Sequence, residues 1–303
     1  MNDTALGRVV CIATGKGGAF KTSLTANAAG LTAAAKHRTL LVDLDPQGDL
    51  SDDLGYFDDA RLDAGQHLAT AMLTGTPLRP VITDVRPNLD VIPGGDYLAD
   101  VGGALLARQA RGGATFDLLA QALAPLATDY DLVFIDTPPT DEALQLLALR
   151  ASRWLVAPTK ADTSSIRAVA RIAGRVAEAR EGGHQLDLLG VVLAGVPTAA
   201  KRVRADAEAD IKTMLGSVAP LFDGFIRDSA AVARQARRDG LLVHELAEKV
   251  EGAEPFWQSL RAGTPVTRLP GTAPDLAADY VRVVEQILYR INELETATIG
   301  ATA

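Results

Sequence analysis

Short apolar runs alternate along the chain with longer stretches in which apolar residues recur at helical spacing. The runs lie at 8–14, 39–43, 89–92, 131–135, 153–157, 188–193 and 221–226. Continuous apolar runs of this length are typical of strands buried on both faces of a parallel sheet. Helical patterns fall between most of them, for example at 114–126, 141–151 and 164–181. The alternation predicts an α/β fold, a doubly wound and mainly parallel sheet with helices on both faces.

The last apolar stripe predicts a helix over 276–294 that packs on the sheet. Its members recur at helical spacing: Leu276, Tyr280, Val283, Val284, Ile287, Leu288, Ile291 and Leu294. We expect the tail 295–303 to fray, and the stretches 102–115 and 261–275 to be exposed surface excursions. No linker or internal repeat divides the 303 residues, so we expect a single domain over 1–303.

Composition narrows the class of protein. Hydrophobic residues make up 48% of the chain, and 30 Lys and Arg against 38 Asp and Glu give a net charge of −8. An acidic protein has no overall positive field toward nucleic acid or anionic membrane, so such binding requires a local patch. Cys11 is the only cysteine and falls in the first predicted strand, which suits a reducing cytoplasm. The chain shows neither a signal-peptide pattern nor an apolar stretch of membrane-spanning length, so we expect a cytoplasmic protein.

The stretch CIATGKGGAFKTSLTANAAG, at 11–30, matches a phosphate-binding loop with one departure. The pattern G-x-x-x-x-G-K-[ST] keeps its first glycine, its lysine and its hydroxyl residue at Gly15, Lys21 and Thr22. Phe20 stands where the last glycine of the pattern would be. A predicted strand precedes the loop and a predicted helix follows it, and a helix N-terminus attracts anions. A glycine-rich strand-to-helix turn without a ligand would have the same local pattern.

Two further motifs follow predicted strands, where open α/β sheets bind ligands. The stretch DLVFIDTPPT at 131–140 is an apolar strand that ends in Asp136, the Walker B arrangement in which a carboxylate supports magnesium. An aspartate in this position could equally cap a helix or form a turn. The stretch LLVDLDPQGD at 40–49 ends another strand with Asp43 and Asp45, and a spacing of two places both side chains on one face. Both carboxylates could then share the metal and the attacking water.

Together the three motifs resemble those of the deviant Walker A ATPases, most closely the ParA-type partition ATPases. They are Lys16-Gly-Gly-x-x-Lys21-Thr22, Asp43-x-Asp45-Pro46-Gln47-Gly48 and Asp136-Thr-Pro-Pro139. The resemblance extends from residue 8 to about residue 245 and implies a P-loop NTPase fold that hydrolyses ATP as a dimer sandwiching two nucleotides. It suggests an actinobacterial plasmid or a related replicon as the source.

The resemblance also implies roles for single residues. Lys16, at the signature-lysine position, would reach the phosphates of the partner subunit, while Lys21 would hold those of its own; a loop lysine is otherwise usually just solvated. Asp45 would orient or activate the attacking water, and Asp43 would be structural. Magnesium would be held by Thr22, Asp136 and Asp45. ATP would contact Gly15, Lys16, Gly17, Gly18, Ala19, Phe20, Lys21, Thr22 and Ser23.

Two departures from the family pattern bear on activity. Phe20 replaces a glycine, and Asp49 follows Gly48 where many members have asparagine. Neither removes a group with a direct role, so we expect an altered rate or affinity and not a loss of activity. The histidines at 37, 67, 184 and 244 are isolated from one another, so we expect no metal other than nucleotide-bound Mg²⁺.

Several branches of the family fit the sequence less well. Iron-protein reductases need cluster-binding cysteines, which one buried cysteine cannot supply. MinD-like members end in a basic amphipathic helix that lies on membrane, whereas the last predicted helix here mixes Asp279, Glu285 and Glu293 with Arg282 and Arg290. We therefore expect no membrane partner, although a MinD-like positioning ATPase stays an alternative. A cargo-positioning ATPase acting over the nucleoid is another. The first strand is predicted to begin by residue 8, so we expect no N-terminal helix-turn-helix.

Partition ATPases bind double-stranded DNA without sequence preference, together with a ParB-like centromere-binding adaptor. Between 196 and 240 the chain has eight Lys and Arg against six Asp and Glu, a local net charge of +2. The expected DNA contacts are Lys201, Arg202, Arg204, Arg227, Arg234, Arg237 and Arg238. If 227–238 is a helix, the arginines at 227, 234 and 238 share one face. A solvated helix face is the alternative. The expected location is the cytoplasm, in association with the nucleoid.

Overall fold

A computed structural model describes residues 5–18, 20–113, 116–181, 184–197, 201–215, 221–253, 261 and 269–302. The strands are β1 (Val9–Ile12), β2 (Thr39–Asp43), β3 (Ile82–Arg86), β4 (Leu89–Ile92), β5 (Leu132–Asp136), β6 (Trp154–Thr159), β7 (Asp187–Val196) and β8 (Leu221–Arg227). The helices are α1 (Lys21–Ala34), α2 (Leu50–Leu54), α3 (Gln66–Thr74), α4 (Val101–Ala110), α5 (Leu118–Ala127), α6 (Glu142–Arg150), α7 (Thr163–Glu181), α8 (Lys201–Leu215), α9 (Ala230–Asp239), α10 (Val243–Glu251) and α11 (Ala273–Thr302).

The strands form one sheet in the order β3-β4-β2-β5-β1-β6-β7-β8. Every neighbouring pair is parallel except β3 with β4, which is antiparallel at the edge. The predicted doubly wound, mainly parallel sheet is therefore confirmed. Because β1, β2, β5 and β6 are parallel neighbours in the middle of the sheet, their carboxyl ends and the loops that follow meet at one edge.

Side chains on the two faces of the sheet enter separate apolar layers. In β1, Val9 and Cys11 face one layer, while Val10 and Ile12 face the other. The first layer is covered by α3 to α8 and the second by α1, α2, α9, α10 and α11. All four residues of β1 have no exposed surface. Burying a large aliphatic side chain such as Val or Ile stabilises the folded state by about 1.5–3 kcal/mol. The central strands therefore provide a rigid base for the loops at their carboxyl ends.

Some elements differ from those predicted. α4 lies within the stretch 102–115 that we expected to be an exposed excursion, and β3 was not predicted at all. α11 is longer than 276–294 and includes residues up to Thr302 that we expected to fray. Residues 262–268 of the other expected excursion lie outside the described residues. In the part of the chain that the structure describes, no helix is both long enough and apolar enough to cross a membrane.

Candidate functional site

The phosphate-binding loop joins β1 to α1 at the centre of the sheet. Helix α1 begins at Lys21, and the residue before it, Phe20, has φ 62° and ψ 20°. This left-handed conformation costs a residue with a Cβ roughly 1–2 kcal/mol, and glycine adopts it freely. The usual pattern has glycine there for that reason. Phe20 keeps the backbone that the loop requires, so the departure is confined to the side chain.

The Phe20 ring packs between the end of β7 and the residue that follows β6. A Cβ placed on Gly195, near the end of β7, would lie 2.7 Å from Phe20 Cε2. Nζ of Lys160, just after β6, lies over the ring at 5.7 Å from its centroid. The ring therefore occupies the space that a side chain at position 195 would need, and these contacts oppose the cost of the left-handed backbone.

Asp136, the last residue of β5, accepts hydrogen bonds from two hydroxyls of α1. Thr22 Oγ1 donates to its Oδ2 at 2.8 Å, and Thr25 Oγ1 donates to its Oδ1 at 3.1 Å. Burial raises the pKa of Asp136 to about 7, opposed by the Thr22 hydroxyl and the positive charge of Lys21. The Walker B carboxylate and the Thr22 hydroxyl thus lie next to each other at the N-terminus of α1.

Lys21 is buried beside these acidic groups. Only 6% of the residue is exposed, and its Nζ donates to the backbone oxygen of Lys16 at 3.4 Å. Burial lowers the pKa of Lys21, while the negative charges of Asp136 and Asp45 oppose that shift. The ammonium is therefore held among two carboxylates and the loop, where a phosphate group would gain the most from a positive charge.

Asp43 and Asp45 lie at the end of β2, beside Asp136 in the sheet, since Asp43 and Asp136 are register partners. Asp43 is fully buried and its Oδ1 accepts a hydrogen bond from the Asp45 backbone N–H at 2.9 Å. Its Oδ2 has no hydrogen-bond partner among the described residues. Burial, reinforced by the charge of Asp136, raises the pKa of Asp43 well above its ordinary value. Asp43 therefore positions the backbone of Asp45 through this hydrogen bond.

The Asp45 carboxylate differs from that of Asp43 because it is not completely buried. Its Oδ1 accepts a hydrogen bond from the Gln47 backbone N–H at 3.0 Å, and 7% of the residue is exposed. Burial raises the pKa of Asp45, opposed by that hydrogen bond and by the charge of Lys21. A carboxylate with a raised pKa accepts a proton more readily than an ordinary one, which is what a group that activates water needs.

Lys16 extends away from the loop toward the start of α7. Its Nζ donates to Asp162 Oδ1 at 3.0 Å, to Ser164 Oγ at 2.5 Å and to Ser165 Oγ at 3.2 Å. The two serine hydroxyls, and to a lesser degree Lys16, hold the pKa of Asp162 below its ordinary value. With 40% of its side chain exposed, Lys16 is held at the surface by residues of its own chain.

Sequence reasoning did not identify four residues of this edge. Thr25, Asp162, Ser164 and Ser165 contact Asp136 or Lys16, and no motif named them. The sequence does contain a pattern that could have identified Asp162, Ser164 and Ser165. The polar run that contains Asp162 follows the apolar run of β6, as the other motifs follow their strands, and parallel strands bring such runs together.

Three of the expected DNA-contacting arginines are engaged within the fold. Arg227 is the last residue of β8, not part of a helix, and its Nε donates to Asp279 Oδ2 at 2.6 Å. Arg237 donates to Asp53 Oδ1 at 2.7 Å, and Arg204 donates to Glu208 Oε1 at 2.6 Å. The expectation that Arg227 shares a helix face with Arg234 and Arg238 is therefore wrong.

The remaining basic residues differ in what the structure describes. Arg234 and Arg238 lie one turn apart on α9 and are both exposed, with 70% of the Arg238 side chain accessible. Arg238 donates to Gln235 Oε1 at 2.5 Å, a contact that leaves it at the surface. The side chains of Lys201 and Arg202, and all of Ala19, lie outside the described residues.

The amino-acid sequence matches the AAA domain family over residues 7–187. The chain is 31% identical over 191 residues to the chromosome partitioning protein ParA of Myxococcus xanthus, an alignment that covers 62% of this chain and 65% of that protein. It is 32% identical over 191 residues to the chromosome-partitioning ATPase Soj of Thermus thermophilus, with coverage of 61% and 68%. The chain thus spans about two thirds of the length of these relatives.

A solved structure shares the fold over almost the whole chain. The ATP complex of a variant McdA from Cyanothece superimposes with a TM-score of 0.72 and 22% identity, covering 93% of this chain and 96% of that one. At this identity the likeness concerns the fold. It extends past residue 187, where the family match ends, to the region that contains α8 to α11.

Proposed function

Because the chain belongs to the ParA-type family of MinD/ParA P-loop ATPases, we propose that it is a partition or positioning ATPase that hydrolyses ATP with magnesium. The proposal extends to an ATP-sandwich dimer that binds double-stranded DNA without sequence preference and segregates plasmid or chromosome DNA with a ParB-like adaptor. The Thermus relative is named a chromosome-partitioning ATPase, which favours DNA as the cargo.

One observation carries the enzymatic part of the proposal. Four side chains from three parts of the chain meet around the N-terminus of α1. They are Lys21 and Thr22 after β1, Asp45 after β2 and Asp136 at the end of β5. A backbone-lined helix N-terminus, a buried ammonium and adjacent carboxylates are the groups that bind a nucleoside triphosphate and place a water against it. A glycine-rich turn without a ligand would not need a buried lysine between two carboxylates.

The residues have separable tasks in hydrolysis. Lys21 neutralises phosphate charge within its own subunit, and backbone N–H groups of the loop hold the phosphate oxygens. Asp45 orients the attacking water and accepts its proton at the carboxylate, for which its raised pKa is suited. The Thr22 hydroxyl and the Asp136 carboxylate are oxygen donors of the kind that Mg²⁺ prefers. Bound with the nucleotide, Mg²⁺ would neutralise charge that develops on the phosphate oxygens.

The decisive experiment measures DNA binding and ATP turnover in parallel. Binding to two unrelated duplexes of equal length is followed with ATP, with ADP and without nucleotide, and turnover is followed with and without Mg²⁺. The proposal expects DNA binding only with ATP, equal affinity for both duplexes, and turnover only with Mg²⁺. DNA binding that does not depend on the nucleotide would contradict the partition mechanism. Vesicle sedimentation with ATP would then test the MinD-like alternative.

Replacing Lys16 with alanine should separate nucleotide binding from hydrolysis. The Lys16 ammonium contacts Asp162, Ser164 and Ser165 and not the loop of its own subunit. The monomer should therefore bind ATP with an affinity within a few-fold of the wild type. Dimerisation and turnover should be lost, because the partner's phosphates lack this positive charge. Light scattering with ATP and a phosphate-release assay measure the two effects.

Lys36→Ala, at the end of α1, is the matched control, since Lys36 is exposed and lies away from the loop. It should dimerise and hydrolyse ATP normally. An ATP-dependent dimer with normal turnover in Lys16→Ala would show that the cross-subunit role belongs to another residue.

Replacing both Arg234 and Arg238 with alanine should weaken DNA binding and its dependence on salt. Two exposed arginines per subunit become four phosphate contacts in a dimer, and each contributes a slope of about −0.9 to log K against log salt. At saturating ATP, where the dimer forms, the double variant should therefore flatten the slope by roughly 3 to 4. Fluorescence anisotropy across a salt series measures the slope.

The double variant Arg108→Ala with Arg111→Ala removes the same charge at the end of α4, on the opposite face of the sheet. It should leave the slope unchanged. If the α9 variant keeps the wild-type slope, the DNA surface lies elsewhere, and Lys201, Arg202 and Arg204 are the next residues to replace.

A further inference from the structure

A cavity of about 370 Å³ opens directly beside the phosphate-binding loop. Phe20 and Ser23, which flank Lys21 and Thr22, form its edge on the loop side. Its apolar wall includes Ile226, Leu241, Leu276 and Tyr280. Its polar lining includes Asn27, Asp53, Asp228 and the arginines at 227, 234 and 237. Sites for small ligands have volumes of about 300–1,000 Å³, with mostly apolar walls and few polar groups.

The position of this cavity decides which part of a nucleotide could enter it. The phosphates belong at the loop and the start of α1, so the group joined to them through a ribose extends to one side. The cavity begins at Ser23, the residue after Thr22, and continues toward β8 and α9. A space of this size beside the phosphate site, with an apolar wall and polar groups around it, suits a planar base.

Phe20 is the one aromatic side chain that belongs to both the loop and the cavity among the residues described. Its ring is fixed in place, because Gly195 leaves room for it and Lys160 lies over it. The ring also holds its position at the cost of a left-handed backbone. A ring held in this way presents a rigid apolar surface at the point where phosphate site and cavity join.

We propose that Phe20 is a nucleobase-contact residue, whose ring packs against the base of the bound nucleotide and raises affinity for nucleotides over bare polyphosphate. The inference rests on the proposed function, since it assumes that the phosphates bind at the loop. Gly195 is its positioning residue, which admits the ring without touching the ligand. Phe20, which replaces the last glycine of the usual loop pattern, would therefore serve to bind the base in this chain.

The test compares the dissociation constants of Mg-ATP and Mg-tripolyphosphate by calorimetry. Contact between a base and an aromatic ring is worth roughly 5- to 160-fold in affinity. Phe20→Leu keeps apolar bulk and loses the ring, so ATP affinity should fall by this factor while tripolyphosphate affinity stays within about 2-fold. Phe20→Gly, which suits the φ of 62°, should show the same selective loss and guards against misfolding of the leucine variant. Phe57→Leu, a half-exposed phenylalanine outside the cavity, should change neither constant.

Gly195→Ala gives an independent check through a double-mutant cycle. Gly195 has φ 67°, so alanine strains the backbone in both backgrounds. Only in the presence of Phe20 would its methyl group also meet the ring, so the loss of ATP affinity should be markedly smaller in the Phe20→Gly background. Equal losses of ATP affinity in both backgrounds would show that Gly195 does not position the Phe20 ring.

The outcomes distinguish the inference from the proposed function. An unchanged ratio of the two dissociation constants in Phe20→Leu and Phe20→Gly would overturn the role of the ring. Parallel losses of ATP and tripolyphosphate affinity would also overturn it, because Phe20 would then act on the loop and not on the base. If the wild type bound neither ligand, the proposed function itself would fail.

Discussion

Lys21→Ala should abolish ATP binding at any concentration useful for turnover. The Lys21 ammonium is buried, and the carboxylates of Asp45 and Asp136 act on it electrostatically. Without it, the triphosphate would approach two carboxylates and no compensating charge. Truncating one partner of a buried charge pair costs about 2–5 kcal/mol, which is roughly a 30- to several-thousand-fold loss of affinity. Calorimetry with Mg-ATP measures the loss directly.

The variant must be shown to be folded, because Lys21 also separates two buried carboxylates. Its loss should raise the pKa of Asp136 further, so Asp136 should be neutral at pH 7 and the fold should tolerate the change. Circular dichroism and thermal unfolding test that point. Lys16→Ala, with its ammonium outside the loop, is the matched lysine control and should bind ATP as a monomer. Wild-type ATP affinity in Lys21→Ala would assign the phosphate site to another part of the sheet edge.

The sequence predicted the central strands well because they are buried on both faces. The runs at 39–43 and 89–92 coincide with β2 and β4. All of β2 is buried, and β4 is buried except at Asp90. β3 gave no such signal, since it is an antiparallel edge strand in which Thr83 and Asp84 are exposed. Apolar runs therefore report burial on both faces, and a half-exposed edge strand lacks the pattern.

Glycine misled the prediction for α4. Gly102 and Gly103 suggested an exposed excursion, because glycine is unfavourable within helices. A Cβ on Gly102 would lie only 2.7 Å from Asp141 Oδ2, at the start of α6. That glycine permits close approach of α4 to α6, a tertiary requirement that local sequence does not express. The helical face expected through Arg227 was wrong for a related reason, since its partner Asp279 lies 52 residues away in sequence.

The candidate nucleotide site was predictable in part for a topological reason. Parallel strands deliver their carboxyl ends to one edge, so motifs after β1, β2 and β5 had to meet once the sheet was recognised. The contacts of Lys16 were not predictable, because Asp162 lies 146 residues along the chain and follows a strand without a known motif. The position of the Phe20 ring required Gly195, whose glycine carries no signal by itself.

Asp45→Ala should slow ATP hydrolysis on the order of 10²-fold or more with little change in ATP affinity. In the proposed mechanism the Asp45 carboxylate acts on the water and not on the phosphates, and burial makes it a better proton acceptor by raising its pKa. A subunit that binds ATP but cannot activate water should accumulate as the ATP-bound dimer. Single-turnover kinetics measure the rate, and size-exclusion chromatography with ATP measures the dimer.

Asp43→Asn is the matched control for this carboxylate. Burial holds the pKa of Asp43 well above its ordinary value, and an asparagine oxygen at position 43 can still accept a hydrogen bond from the Asp45 backbone N–H. Turnover in Asp43→Asn should therefore stay within a few-fold of the wild type. The opposite pattern, a monomeric Asp45→Ala with normal turnover and an inactive Asp43→Asn, would transfer the water-activating role to Asp43. The two carboxylates are two residues apart on one strand end, so this comparison separates chemistry from position.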